Sequence, residues 1–161
     1  MTKGGHTPEG QEPRRAFARR GALLGLVSIG GLAATGHWFN IRGAVTGDTA
    51  VSVESAFRGA RDGDFTLIDI RRPDEWARTG VGVGAIPIDM RDRDFVTQLL
   101  SKVSGKDAAI ALICARGVRS RGLTKRLTEA GFTNIIDVPE GMQGSGAGPG
   151  WLGTGLPVTF P

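Results

Sequence analysis

Ala108 to Ile113 is a run of six apolar residues that leads straight into Cys114, the only cysteine among the 161 residues of the chain. Such a run, with no polar alternation, is the pattern of a strand buried on both faces. Strands of that kind belong to parallel sheets covered by helices. The next residues, Cys114-Ala115-Arg116-Gly117-Val118-Arg119-Ser120, form a short basic loop containing glycine. From Ser120 to Ala130 the pattern turns helical, with Leu123, Leu127 and Ala130 on one face and Gly131 as the stop. A loop between a strand end and a helix N-terminus is where open α/β sheets bind ligands. Backbone N–H groups there can hold an anion or stabilise a thiolate.

The preceding residues repeat the alternation. Ala50 to Val53 reads as a short strand and Glu54 to Arg61 as a helix ended at Asp62-Gly63. Phe65 to Ile70 is short, apolar and rich in β-formers, so it is a strand. Pro73-Asp74-Glu75 opens a helix, since proline and acids suit a first turn. Gly80 to Gly84 reads as a loop into Ala85-Ile86, and Asp94 as the N-cap of a helix carrying Phe95, Leu99, Leu100 and Val103. Asn134 to Val138 is a further strand, and Gly141 to Gly155 a glycine-rich tail holding Trp151. The expected fold is a single α/β domain, residues 49–161, with a mostly parallel central sheet and helices on both faces.

The first 41 residues read as an address, followed by a linker over 42–48. Lys3, Arg14, Arg15, Arg19 and Arg20 outweigh Glu9 and Glu12, so three of the four net positive charges lie in the first 20 residues. The remainder is nearly neutral, which argues against nucleic acid as a partner. From Gly21 to Ile41 no residue is formally charged, and the apolar residues are interrupted by Gly25, Gly30, Gly31 and Gly36. A basic stretch before an apolar one is the layout of an export signal. Arg14-Arg15-Ala16-Phe17-Ala18-Arg19 resembles the twin-arginine pattern, with Arg19-Arg20 a second candidate pair. Twin-arginine export machinery is therefore an expected partner. Cleavage after Ala34 and retention as an inner-membrane anchor both remain open, and both put the domain on the periplasmic side.

The Cys114 loop has the means to use its sulfur. An ordinary thiol is mostly protonated at neutral pH, and amides curling toward the sulfur favour the anion. Gly117 permits such a curl, the backbone of Ala115 to Arg119 supplies the amides, Arg119 is placed to fold back over an anion, and Arg116 adds charge at the mouth. The bland alternative is an inert buried cysteine at a strand end. The two histidines, His6 and His37, both precede the domain, which argues against a histidine base or a metal centre.

Residues 50 to 158 resemble a single rhodanese domain. The likeness rests on Leu67-Ile68-Asp69-Ile70-Arg71-Arg72-Pro73-Asp74-Glu75-Trp76, on Gly80-Val81-Gly82-Val83-Gly84-Ala85, on the Cys114 loop, and on the ending Gly150-Trp151 to Gly155-Leu156-Pro157-Val158. In that family a six-residue loop from Cys to Arg marks sulfurtransferases, whereas related phosphatases use a loop one residue longer. The resemblance implies a Cys114 persulfide formed from thiosulfate or a similar donor and passed to a thiophilic acceptor, with no cofactor. It implies that Ala115, Arg116, Gly117, Val118 and Arg119 bind the anion and that Asp69 and Arg71 brace the loop. Trp76 and Trp151 are expected to pack, with Trp151 also able to border the pocket. Val81 stands where the family commonly has His, and Ala115 where it often has Arg. An exported sulfur carrier loaded by a partner protein, without small-molecule turnover, is the alternative.

Overall fold

A computed structural model describes residues 50–161, so the expected export signal lies outside the described residues. Ser52 starts the first helix. Its hydroxyl accepts from the Ser55 N–H at 3.3 Å, and α1 runs Val53–Asp62 until Gly63, at φ 79°, turns the chain. Val53 thus begins a helix rather than ending a strand; a single bridge, Ala50 to Asp137, remains of the expected strand. The next elements are β1 (Thr66–Asp69), α2 (Pro73–Thr79), β2 (Val81–Gly82), β3 (Ala85–Pro87), α3 (Phe95–Leu100) and β4 (Ile110–Ile113). They are followed by α4 (Val118–Glu129), β5 (Ile135–Val138), α5 (Gly150–Gly153) and β6 (Val158–Thr159).

The central sheet has the order β3-β1-β4-β5 and is parallel throughout. Successive side chains of a strand face opposite ways, so each strand feeds two cores. Ile68, Ile110 and Leu112 pack with Leu99 of α3 and Leu123 and Leu127 of α4. Leu67, Ala111 and Ile113 pack with Val53 and Ala56 of α1 and Trp151 of α5 on the other side. The unbroken apolar run of β4 is the sequence consequence of feeding both, and all four of its residues are buried.

Two segments differ from the sequence reading. Val81-Gly82, expected as loop, pairs antiparallel with Val158-Thr159 and fastens the chain's end to the domain. The glycine-rich tail is built into the core. Trp151 is fully buried, meets Phe57 edge-on at 5.8 Å between ring centroids, and donates from Nε1 to the Pro157 carbonyl at 2.9 Å. Gly82 is needed beneath it, because a Cβ there would sit 2.7 Å from the indole. Trp151 therefore fills the interior rather than bordering a pocket.

Truncating Trp151 leaves a large void beside Val53 and Met142. Trp151→Ala is expected to cost about 3–5 kcal/mol, read as a lower urea midpoint with an unchanged slope.

Candidate active site

Cys114 follows the last residue of β4 and is almost wholly buried at 1% exposure. The loop beyond it curls back on its sulfur. The Gly117 N–H donates to Cys114 Sγ at 3.2 Å, which requires Gly117 to adopt φ 78° as the residue before α4. A side chain at Gly117 would collide with the Pro139 carbonyl. The loop's carbonyls are drawn the other way. Met142 N–H donates to the Cys114 carbonyl at 2.8 Å, and Gln143 N–H to the Ala115 carbonyl at 2.9 Å. Gly141 allows this approach, since a Cβ there would lie 2.5 Å from the Ala115 oxygen. With those carbonyls fixed outward, the amides of Ala115, Arg116, Val118, Arg119 and Ser120 have no acceptor among the described residues. They form a set of donors around the end of β4, suited to a soft anion.

The sequence-nominated side chains fall into three positions. Asp69 and Arg71 are fully buried and paired, with Arg71 Nη2 to Asp69 Oδ2 at 2.7 Å. Arg71 also donates to the Thr79 hydroxyl at 2.7 Å and the Gly80 carbonyl at 2.6 Å, so it ties the end of β1 to the end of α2. Arg116 and Val118 are exposed at the rim, Val118 at 77%. Arg119 is held by Glu75 in a two-pronged contact, Nη1 to Oε2 at 2.8 Å and Nη2 to Oε1 at 2.7 Å. That grip favours the charged form of Arg119, and the nearby Cys114 and Asp69 add to it.

Two participants escaped the sequence reading. Glu75 reads in the sequence as a first-turn acid, yet its carboxylate pairs with the loop arginine, 44 residues further along the chain. Its carboxyl is held down to about 2, first by the Arg119 hydrogen bonds and then, against the cost of burial, by the Arg72 N–H. Its wide separation from Arg119, 44 residues, left no local signal. The sequence pattern places the helix start at Ser120; the structure starts α4 at Val118 and buries Ser120 completely. Its hydroxyl lies 3.6 Å from Cys114 Sγ and donates to the Gly117 carbonyl at 3.1 Å. Its place directly after Arg119 was the one available hint.

Around the rim, acids and bases alternate. Asp89 and Arg91 form a two-pronged pair, and Asp74 and Glu75 act electrostatically on Arg91. Among the described residues no group of three metal-ligating side chains comes together.

Glu75 ordinarily titrates near 4.5 and here near 2. Its pairing therefore supports the fold fully above pH 4.5 and is lost as pH falls toward 2. Glu75→Gln is expected to lose less thermal stability than the wild type between pH 5 and 3, measured as the change in Tm of each protein.

Residues 52–146 match the rhodanese-like domain family. An uncharacterised protein of Rickettsia conorii is 27% identical over 124 residues, spanning 70% of this chain and 90% of its own length. The solution structure of a polysulfide-sulfur transferase homodimer from Wolinella succinogenes is similar in fold, with a TM-score of 0.56 and 23% identity over 80% of this chain and 90% of that one. A rhodanese-related protein from Thermoplasma volcanium gives a TM-score of 0.54 at 25% identity, over 70% of this chain and 99% of that one. With the parallel sheet, the cysteine at its carboxyl edge and the family match over more than half the sequence, the chain belongs to the rhodanese-like domain family.

Proposed function

We propose that the protein is a sulfurtransferase that carries sulfur as a persulfide on Cys114. The observation that carries this reading is the Gly117 N–H aimed at Sγ at 3.2 Å, with the neighbouring loop amides left without acceptors. In the reaction the Cys114 thiolate attacks the outer sulfur of thiosulfate or a similar sulfane-sulfur donor. The Sγ–S bond forms as the donor's own S–S bond breaks, and sulfite leaves with the bonding pair. The terminal sulfur of the persulfide is an anion, and the loop amides are its hydrogen-bond donors. A thiophilic acceptor, a small molecule or a protein, then takes that sulfur and restores the thiolate.

A second reading is a carrier loaded by a partner protein. It is favoured by the near-complete burial of Cys114 and by the engagement of Arg119 with Glu75, which leaves the guanidinium less free to grip a small donor. Intact mass separates the two. The folded protein mixed with thiosulfate is expected to gain one sulfur, about 32 Da, with cyanide removing it and Cys114→Ser showing no gain. A folded sample that gains nothing would replace the thiosulfate reading with the carrier.

The site of action is proposed to be the periplasm, free or tethered to the inner membrane, after twin-arginine export. The support is the basic and then uncharged sequence of residues 1–41. Among the described residues no helix is long and apolar enough to cross a membrane. Replacing Arg14, Arg15, Arg19 and Arg20 with lysine is expected to hold the protein in the cytoplasmic fraction, judged by cell fractionation.

A further inference from the structure

Two features of α4, the helix that leaves the Cys114 loop, have no role in the fold. The first is its charge. Arg121, Lys125 and Arg126 are exposed, and among the described residues none of them forms an ion pair. Arg116, at the rim of the loop, has only the neutral Gln143 amide, at 3.5 Å. The arginines at α2 and after β3, by contrast, come with carboxylates: Arg72 and Arg78 with Asp74, and Arg91 with Asp89. Arg119 itself is taken by Glu75. Positive charge beside the sulfur is thus left open along one helix.

The second feature is Gly122. It lies inside α4, and nothing stands within 4 Å of the place its Cβ would take. Neither space nor backbone conformation asks for glycine there, and glycine inside an exposed helix weakens it relative to alanine.

Helical geometry joins the two. Val118, Gly122 and Lys125 follow one another at i, i+4 and i+7 along the solvent-facing crest, and Arg121 and Arg126 flank it. Val118, at 77%, is the most exposed large apolar side chain among the described residues, and it stands at the loop end of the crest. From there the crest runs along about 12 Å of helix. It is apolar first, bare at the next turn, and then cationic. Cys114 is almost wholly buried, so an acceptor has to be pressed against this rim to reach a sulfur carried there.

We propose that the crest of α4 docks an acidic segment of a partner protein, which brings an acceptor cysteine to the Cys114 persulfide. The partner's backbone lies over Gly122, where no side chain holds it off. Val118 covers the apolar surroundings of its cysteine, and its carboxylates meet Arg121, Lys125 and Arg126. In the transfer the partner's thiolate attacks the outer sulfur. The new S–S bond forms as the bond from that sulfur to Cys114 Sγ breaks, and Sγ leaves as the thiolate with the bonding pair. The proposal rests on Cys114 as the sulfur carrier and adds the chemistry of its acceptor. A lipid surface fits less well, because a membrane-seated helix turns an apolar face outward, whereas α4 buries Leu123 and Leu127.

The test uses thiol exchange, which needs no sulfur donor. The peptide Glu-Glu-Gly-Cys-Gly-Glu-Glu and its lysine and serine counterparts are activated as mixed disulfides with thionitrobenzoate. Cys114 of the full-length protein attacks the peptide sulfur, and thionitrobenzoate leaves as a coloured anion whose release is timed. At low salt the acidic peptide is expected to react on the order of tenfold faster than the basic one, an advantage that shrinks as salt is raised. Replacing Arg121, Lys125 and Arg126 together by alanine, which keeps the helix, is expected to remove most of that advantage. Gly122→Ala changes no charge. It is expected to raise Tm by a few degrees and yet to slow the acidic peptide several-fold relative to Ellman's reagent, which needs no docking. Equal rates for the three peptides, no reaction of any of them with the folded protein, or an undiminished advantage in the triple variant would each overturn the proposal. So would a Gly122→Ala protein that keeps the wild-type ratio of acidic peptide to Ellman's reagent. Equal peptide rates, with sedimentation on phosphatidylglycerol vesicles that the triple variant loses, would reassign the crest to a membrane. A missing mass gain with thiosulfate leaves the ranking of the peptides untouched, so the two failures are told apart.

Discussion

The site depends on two backbone hydrogen bonds that never touch the sulfur. The N–H groups of Met142 and Gln143 hold the carbonyls of Cys114 and Ala115 outward. A peptide plane is rigid, so fixing a carbonyl on one side constrains where the adjoining amide points. The segment after β5 thereby sets the polarity of the Cys114 loop. Glu140 steadies that segment in turn. Its buried carboxylate accepts from the Val53 N–H at 3.1 Å and the Gly150 N–H at 3.2 Å, joining the start of α1 to the start of α5. The loop's chemistry is a property of this whole arrangement and not of the loop sequence alone.

The buried charges divide the remaining labour. Arg71 meets Asp69, Thr79 and Gly80, so its cost of burial is offset by a full set of partners. Arg119 is committed to Glu75 but remains partly exposed, which keeps a cation beside the sulfur in a defined place. One arginine is structural ballast for the β1–α2 corner. The other stands at the boundary between interior and solvent, where charge can act on an entering anion with little screening.

Much of this was legible in the sequence, and the reason is periodicity. The central strands β1, β4 and β5 and the helix α4 follow from local patterns of apolar residues, because each must satisfy the same sheet. The cysteine's place at the sheet's carboxyl edge follows from the strand before it. What stayed hidden was long-range or backbone-borne. Glu75 pairs with Arg119 44 residues away in the sequence, β2 pairs with Val158-Thr159, and the tail's glycines serve close packing where composition suggests a loose linker. Ser120 was hidden for another reason: a serine near a helix start is common, and only the curl of the loop brings its hydroxyl to the sulfur.

The burial of Trp151 has a consequence for the order in which the molecule is made. The indole closes one of the two cores from α5, the last described helix of the domain, and β6 follows it in the sequence. While those residues are inside the ribosome, Val53 and Met142 lack the side chain that covers them. The domain cannot mature piecemeal from its N-terminus as it emerges; it is complete only once Trp151 and the strand Val158-Thr159 are outside the ribosome. Until that moment the Cys114 loop lacks its finished support, because Met142, whose N–H holds the Cys114 carbonyl, packs in the same core as Trp151.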